Sequence, residues 1–167
     1  QGASRVTRYW ELRKDPAMEA LSFPEAVDAL DAELTDVVRS HLMADVPVAV
    51  LLSGGVDSSA LLGALRQADP GRRVRTFTIG FDDPRDERPH ARRVAEALRT
   101  DHQERILDTM EIVRRFDEGI RALDDLSTAD GGFWSLTMAS KLIREQGIKV
   151  VLVGEGADEL FGGYHLF

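Results

Sequence analysis

The sequence predicts an α/β fold in which helices flank a parallel sheet. Strand-like and helix-like segments alternate along residues 48–153, and such alternation is typical of parallel sheets wrapped by helices. A short aliphatic run, residues 48–52, leads directly into a loop of glycines and serines, as a strand delivering a phosphate-binding turn does. The chain has 167 residues, 43% of them hydrophobic, so we expect one domain with a continuous core.

The predicted elements begin with a lead-in, residues 1–20, in which Tyr9 and Trp10 form a short strand. Ser22 and Glu25 have the spacing of a helix-capping box, and apolar residues then recur with helical period as far as Leu42. The elements predicted after this helix are a strand at 48–52, a helix at 57–66, a strand at 74–81, a helix at 87–99, a strand at 104–107, a helix at 111–122, a helix at 133–144 ended by Gly147, and a buried strand at 149–153.

The loop at residues 53–59 reads Ser-Gly-Gly-Val-Asp-Ser-Ser. Its glycines let the main chain turn tightly towards an anion, and a helix beginning near Asp57 points its positive end at the same place. The lysine-bearing loop of the common nucleotide-binding motif is absent. A carboxylate beside phosphates normally implies a divalent cation between them, so Asp57 predicts a magnesium ion. The plainer alternative is an ordinary Gly-Ser turn between a strand and a helix.

A second loop, residues 154–164, places three carboxylates among four glycines directly after a predicted strand. Crowded carboxylates repel one another unless a cation joins them, and a magnesium-bound pyrophosphate held by Asp57 and Asp158 would supply that cation. Because parallel strands end at the same edge of a sheet, we expect the loops after residues 52, 81 and 153 to meet there. The alternative for this segment is a solvated acidic turn with a glycine hinge.

Composition excludes several classes of function. A net charge of −8 argues against a general affinity for nucleic acid or for an anionic membrane. No apolar run could span a bilayer and the first residues lack a secretion signal, so we expect a cytoplasmic location. The absence of cysteine excludes disulfides and cysteine-based catalysis within this chain, and the four histidines lack the spacing of metal ligands.

Two strings carry a resemblance to known families. Residues 51–59 resemble the pyrophosphate-binding loop of the ATP-pyrophosphatase superfamily, whose members cleave ATP between its α and β phosphates and adenylate a substrate. Residues 154–164, Gly-Glu-Gly-Ala-Asp-Glu-Leu-Phe-Gly-Gly-Tyr, resemble the second signature of the glutamine-hydrolysing asparagine synthetase family. The resemblance covers residues 45–167 and implies an adenine nucleotide alpha hydrolase-like (Rossmann-like) fold for residues 21–167, the N-terminal part of a synthetase domain.

The resemblance also implies roles for individual residues. ATP and magnesium are the implied cofactors, with Asp57 and Asp158 as the magnesium ligands. Glu155 matches the acidic residue that orients or deprotonates the attacking nitrogen, so Glu155 and Asp57 are the expected catalytic residues. The residues expected to bind ATP or pyrophosphate are Leu51, Ser53, Gly54, Gly55, Asp57, Ser58, Ser59, Ile79 and Gly154.

The implied reaction is an ATP-dependent amide synthesis that converts aspartate and glutamine-derived ammonia into asparagine, AMP and pyrophosphate. A glutaminase domain, in the same full-length chain or as a partner, would supply the ammonia, and a homodimer is compatible with this. The glutaminase domain and the C-terminal remainder with its catalytic lysine are not among these residues, which begin at Gln1. We therefore expect the nucleotide-binding core of a larger enzyme, one that makes little or no amide alone.

Three departures from the family pattern leave the acceptor open. Val153 replaces a common serine, Leu126 and Ser127 interrupt an Asp-Glu-Pro pattern, and Arg99 stands where a helix-ending glycine is usual. A lactam-forming or macrolactam-forming synthetase with a tethered amine would use the same loops. A nucleotide-binding module without turnover is the other alternative. Transfer-RNA thiolation enzymes share the first loop, but they need cysteines and a basic face, which this chain lacks.

Overall fold

The computed structural model describes residues 4–82, 86–121 and 132–164, and leaves the side chains of residues 132–135 outside the description. The chain divides into two compact units, residues 1–33 and residues 34–167. None of the helices within the described ranges is long and apolar enough to cross a membrane.

The first unit begins with residues 4–15, which have no regular structure, followed by the short helix α1 (Pro16–Glu19). Tyr9 and Trp10 are 99% and 68% exposed, so the short strand predicted there is wrong. A strand needs a neighbouring strand to satisfy its backbone groups, and this segment pairs with none that the structure describes.

Helix α2 (Phe23–His41) starts at the predicted capping box and crosses into the second unit. The Ser22 amide donates to Glu25 Oε2 at 2.8 Å, and the Ser22 hydroxyl donates to the same oxygen at 2.5 Å. These hydrogen bonds lower the pKa of the Glu25 carboxyl because they stabilise its charged form. Further along the helix, Val38 is buried in the core of the second unit.

The second unit is built on a parallel sheet, as predicted. Its described strands are β1 (Val48–Leu51), β2 (Arg75–Phe81), β3 (Asp101–Leu107) and β4 (Val150–Leu152), in the order β3-β2-β1-β4. Helix α3 (Val56–Ala68) joins β1 to β2, and helix α4 (Arg88–Ala97) joins β2 to β3. The chain then passes through α5 (Thr109–Arg114), α6 (Phe116–Arg121) and α7 (Gly132–Glu145) to reach β4 on the other side of β1. The strand order therefore reverses at β1.

Alternate residues of β1 enter two separate cores because successive side chains of a strand point to opposite faces. Val50 packs with α3 and α4, while Ala49 packs with Phe77 and α7. The first core contains Val38, Val50, Leu52, Leu62, Ala64, Leu65, Val74, Ala91 and Ala95, and the second contains Ala49, Phe77, Ala139, Ile143 and Ile148. Helices thus cover both faces and leave the strand ends to form the site.

Helix α7 ends as the sequence predicts. Gly147 has a φ of +76°, and the Ile148 amide donates to the carbonyl of Ile143 at 3.2 Å. This six-to-one bond is the mark of a Schellman motif, in which glycine supplies the left-handed residue. The chain is thereby turned directly into β4.

Most elements begin and end within two or three residues of the predicted positions, but three features differ from the prediction in kind. The single helix expected at 111–122 is wrong, because Arg115 leaves helical geometry (φ −106°, ψ 14°) between α5 and α6. Strand β3 begins at Asp101 instead of residue 104, since it pairs with β2 from Arg75 onward. Strand β4 is half-buried instead of buried, because among the described strands it pairs with β1 alone.

Candidate functional site

A cavity of about 210 Å³ lies at the carboxyl ends of β1 and β4, where the strand order reverses. In open parallel sheets this reversal point is where ligands bind, because the loops on either side leave a crevice. The cavity is lined by Leu51, Ser53, Gly55, Asp57, Ser58, Val153, Gly154, Glu155, Gly156 and Asp158. Two loops about a hundred residues apart in sequence therefore form one site.

The first wall is the start of α3. Gly55 is the N-cap residue of this helix and offers no side chain to accept from the amides of the first turn. Those amides have no partner within the helix, and together with the helix dipole they favour an anion. This wall suits a phosphate group.

Serine hydroxyls hold the loop before α3 in shape. Ser53 Oγ lies 2.9 Å from Ser58 Oγ, the Gly55 amide donates to Ser53 Oγ at 3.1 Å, and the Ser53 amide donates to Ser58 Oγ at 3.2 Å. These bonds place both hydroxyls on the cavity wall. Ser59 differs, because its hydroxyl donates to the Gly55 carbonyl at 2.6 Å and the residue does not line the cavity.

The second wall rests directly on the first. A Cβ built on Gly154 would lie 3.1 Å from the Ser58 amide nitrogen and 3.3 Å from Asp57 Cβ. These distances are tighter than ordinary van der Waals contact, so a side chain at residue 154 would push the two loops apart by a few tenths of an ångström. The glycine after β4 therefore favours their close approach.

Carboxylates from both loops line this cavity, and none of its lining residues is an arginine or lysine. Asp57 comes from the first wall, and Glu155 and Asp158 come from the second. Asp158 sits against the backbone of Gly163, where an added Cβ would lie 1.8 Å from Asp158 Oδ1. Gly163, which follows the short helix α8 (Ala157–Phe161), therefore makes room for this carboxylate.

The negative field of the second wall acts on Tyr164. The Tyr164 hydroxyl donates to Glu159 Oε1 at 2.6 Å. This hydrogen bond, together with burial and the charges of Glu159, Asp158 and Glu155, raises the pKa of Tyr164 to about 12. The same negative charges would attract a cation to the cavity.

The donor set fits a divalent cation that brings some ligands with it. Within residues 4–82, 86–121 and 132–164, no group of three or more His, Cys, Asp or Glu side chains is placed to hold a metal ion. Magnesium usually binds through one or two carboxylates plus water and substrate phosphates, so the residues that would hold such an ion are Asp57 and Asp158, one from each wall. Such an ion would neutralise the phosphate charge between these carboxylates.

The structure brings most of the predicted site residues together on the cavity wall, but not Gly54, Ser59 or Ile79. A Cβ on Gly54 would lie 2.4 Å from the Ala91 amide nitrogen, so this glycine, with a φ of +82°, is required by packing against α4. Ile79 packs against the second core, beside α7. Leu126 and Ser127 lie outside the described residues.

Two lining residues, Val153 and Gly156, are not among the predicted site residues. Gly156 belongs to the loop at residues 154–164 and Val153 directly precedes it, so the sequence marked the segment, and only the structure shows which of its residues line the cavity. Gly156 has a φ of +94°, a left-handed conformation that glycine adopts readily, and this bends the loop over the cavity. Val153 is 38% exposed at the end of β4.

Comparison with known proteins gives a consistent result. Residues 29–167 match the family model described as asparagine synthase. The chain is 38% identical to a putative glutamine-hydrolysing asparagine synthetase of Mycobacterium bovis, over 84% of the chain and 21% of that protein. It is 35% identical to the amidase chyE of Penicillium rubens, over 95% of the chain and 26% of that protein.

Among solved structures, the glutamine-dependent NAD⁺ synthetase of Acinetobacter baumannii in complex with ADP superposes with a TM-score of 0.57 at 21% identity, covering 92% of this chain and 29% of that one. This likeness confirms the adenine nucleotide alpha hydrolase-like fold predicted from the sequence. The chain spans about a quarter of the length of the curated relatives it matches.

Proposed function

The chain belongs to the asparagine synthase family, and we propose that it is the ATP-binding core of an amide-forming ligase. One observation carries the proposal: the contact of Gly154 with Ser58 puts an amide-lined wall and a carboxylate-lined wall around a single cavity. A triphosphate with its magnesium ion needs both kinds of wall, since the phosphates seek donors and the cation seeks carboxylates.

In this proposal the first wall holds the phosphates. Ser53, Ser58 and the first-turn amides of α3 would donate to phosphate oxygens, and Asp57 and Asp158 would hold the magnesium ion. Leu51 and Gly154 lie beside the adenosine, with Ile79 as a more distant proposed contact. Gly54 and Ser59 do not line the cavity, so their proposed role is to shape the loop that binds the phosphates.

The proposed chemistry has two steps. A carboxylate oxygen of the acceptor attacks the α-phosphorus of ATP, and the bond from that phosphorus to the bridging oxygen breaks, releasing pyrophosphate. An amine nitrogen then attacks the activated carbonyl carbon, and AMP leaves with the electron pair of the broken carbon–oxygen bond. Glu155, exposed at the cavity edge, accepts a proton from that nitrogen.

The acceptor and the ammonia source are further parts of the proposal. The relative described as a glutamine-hydrolysing asparagine synthetase supports the side chain of aspartate as acceptor and a glutaminase domain as source. Such an enzyme would work in the cytoplasm, where its substrates are. The chain alone is proposed to bind ATP and to make little or no amide.

A second candidate is a lactam-forming ligase, in which the attacking amine belongs to the activated molecule itself. Leu126 and Ser127 depart from the family pattern in the segment that shapes the family's acceptor pocket, and this departure favours an acceptor other than aspartate. Amide formation that needs neither aspartate nor ammonia would distinguish it from the first candidate. A module that binds ATP with magnesium but releases no pyrophosphate with any acceptor would be the third outcome.

The deciding experiment measures aspartate-dependent release of pyrophosphate and asparagine by the full-length protein. Asp57→Asn should lower both products, whereas Glu155→Gln should lower asparagine more than pyrophosphate, because it acts in the second step. Glu159→Gln is the matched control, since Glu159 belongs to the same loop but does not line the cavity. Unchanged release of both products in Asp57→Asn and Glu155→Gln would refute the proposal.

A further inference from the structure

A second cavity, of about 440 Å³, lies at the amino ends of β2 and β3, the opposite edge of the sheet from the candidate site. It lies between the loop that enters β2 and the loop that enters β3. Among the residues that the structure describes, its lining consists of Arg66, Pro70, Arg72, Arg73, Ala97, Leu98 and Arg99, which include four arginines and no carboxylate. We call it the arginine cavity.

Arg66 makes the arginine cavity rigid. Its guanidinium donates to the carbonyl oxygens of Leu98 at 2.8 Å, Arg72 at 2.6 Å and Arg99 at 2.7 Å. These three bonds join the loops before β2 and β3 to the end of α3. The wall of the cavity is therefore held in place before any ligand arrives, which lowers the cost of binding.

Arg72 and Arg73 retain unused donors. Arg72 Nη1 lies 3.8 Å from Asp69 Oδ2, and Arg73 Nη2 lies 3.8 Å from Asp101 Oδ2. Both separations exceed hydrogen-bond distance, so these pairs are loose electrostatic contacts. The guanidinium groups can turn towards a ligand without breaking a hydrogen bond.

Arg99 provides an independent observation. It has a φ of +51°, the left-handed conformation that glycine normally supplies after a helix, and the Thr100 amide closes the end of α4 by donating to the Ala95 carbonyl at 3.0 Å. In the part of the chain that the structure describes, the Arg99 side chain has no ion pair or hydrogen bond. A charged residue kept at a strained position without an internal partner is expected where it meets a ligand.

We propose that the arginine cavity binds a small multivalent anion of the phosphate class. Guanidinium forks match the geometry of phosphate oxygens, and the volume lies in the range of small-molecule sites. The local excess of positive charge stands out on a chain whose net charge is −8. The site is separate from the proposed ATP site, because the two cavities lie at opposite edges of the sheet and share no lining residue.

The test is calorimetric titration of the full-length protein with inorganic pyrophosphate in EDTA. EDTA removes the magnesium that the first cavity, lined by Asp57, Glu155 and Asp158 and here called the acidic cavity, needs to bind phosphates. The double variant Arg73→Gln with Arg99→Gln should bind roughly tenfold more weakly or worse, since hydrogen bonds to charged groups are lost. Arg144→Gln, an exposed arginine on α7, is the matched control and should change nothing.

Circular dichroism of the double variant establishes that it is folded, and Arg99→Gly supplies a second variant that keeps the backbone geometry. Equal binding by the double variant and the parent protein would overturn the proposal. Loss of binding in Ser58→Ala would overturn it too, because pyrophosphate would then occupy the cavity whose wall carries that hydroxyl. Binding of polyglutamate without binding of pyrophosphate would also overturn it, and would indicate that the arginine cavity binds an acidic protein segment.

Discussion

Gly154 and Ser58 are in contact across the candidate site: a Cβ on Gly154 would lie 3.1 Å from the Ser58 amide nitrogen. One residue follows β4 and the other lies in the first turn of α3, and they meet because β4 pairs with β1 in parallel. This contact joins the serine-rich loop and the acidic loop into one cavity.

Gly154→Ala should weaken ATP binding and lower the free energy of unfolding. The added methyl group must push apart two backbone segments, and overpacking of this kind costs about 1–3 kcal/mol. Thermal denaturation and titration with ATP and magnesium measure the two effects. Gly63→Ala is the matched control, because a Cβ there meets nothing within 4 Å and the residue lies inside α3. The control should raise the free energy of unfolding by about 0.5–1 kcal/mol. Equal stability and equal ATP affinity of the two variants would show that the loops have room for a methyl group at residue 154.

Asp57→Asn and Asp158→Asn should each have opposite effects with and without magnesium. With magnesium, each variant loses a ligand and should bind ATP roughly tenfold more weakly, about 1.4 kcal/mol. In EDTA, each variant also loses a negative charge that repels the phosphates, so ATP binding should be equal or stronger. Titration of ATP under both conditions measures this reversal.

Asp117→Asn is the control for that reversal, since Asp117 is an exposed carboxylate on α6 that lines neither cavity. It should bind ATP like the parent protein under both conditions. If Asp57→Asn weakened binding equally with magnesium and in EDTA, Asp57 would act on the loop and not on a cation.

The free energy of unfolding should fall in acid, because protonation of Glu104 breaks its ion pair with Arg92. A two-point ion pair with Arg92, at 3.1 and 2.7 Å, lowers the pKa of the Glu104 carboxyl below 4.5, and His102 adds to this. The pair therefore stabilises the fold fully above about pH 4.5, and this contribution is lost as the pH falls through the lowered value. Urea denaturation between pH 3 and 7 should show the loss.

Arg92→Leu should reduce that pH dependence, because the Glu104 pKa then moves back towards its ordinary value. Glu104→Gln in the same background gives a double-mutant cycle that isolates the pair. A coupling energy that stays constant from pH 7 to pH 3 would show that Glu104 does not titrate in this range.

Arg99→Gly should raise the free energy of unfolding by up to about 1 kcal/mol, because relief of left-handed strain exceeds the entropic cost of glycine. Arg93→Gly is the control inside α4, where the backbone is right-handed and glycine should cost about 1 kcal/mol. Urea denaturation of both variants measures the difference in sign. Destabilisation by Arg99→Gly would mean that the arginine side chain contributes more than its backbone costs.

Local patterns predict much of this fold because they act within a few residues. The capping box at Ser22 and the glycine stop at Gly147 both depend on neighbours in the chain, and both are observed. The split at Arg115 was not predicted, because an amphipathic pattern continues through it although the backbone turns. Strand β3 was predicted too short for a related reason, since its polar first residues are held by pairing with β2.

Local patterns in the sequence predict the class of fold, the order of its elements and the two glycine-rich loops, because strand periodicity, caps and turns depend on short segments. Long-range packing assigns Gly54 to the contact with α4 and Gly154 to the cavity, and it brings four arginines from separate segments to one pocket. Which residues meet depends on strand order. That order is set by pairing between segments far apart in the chain, and no short stretch of sequence contains it.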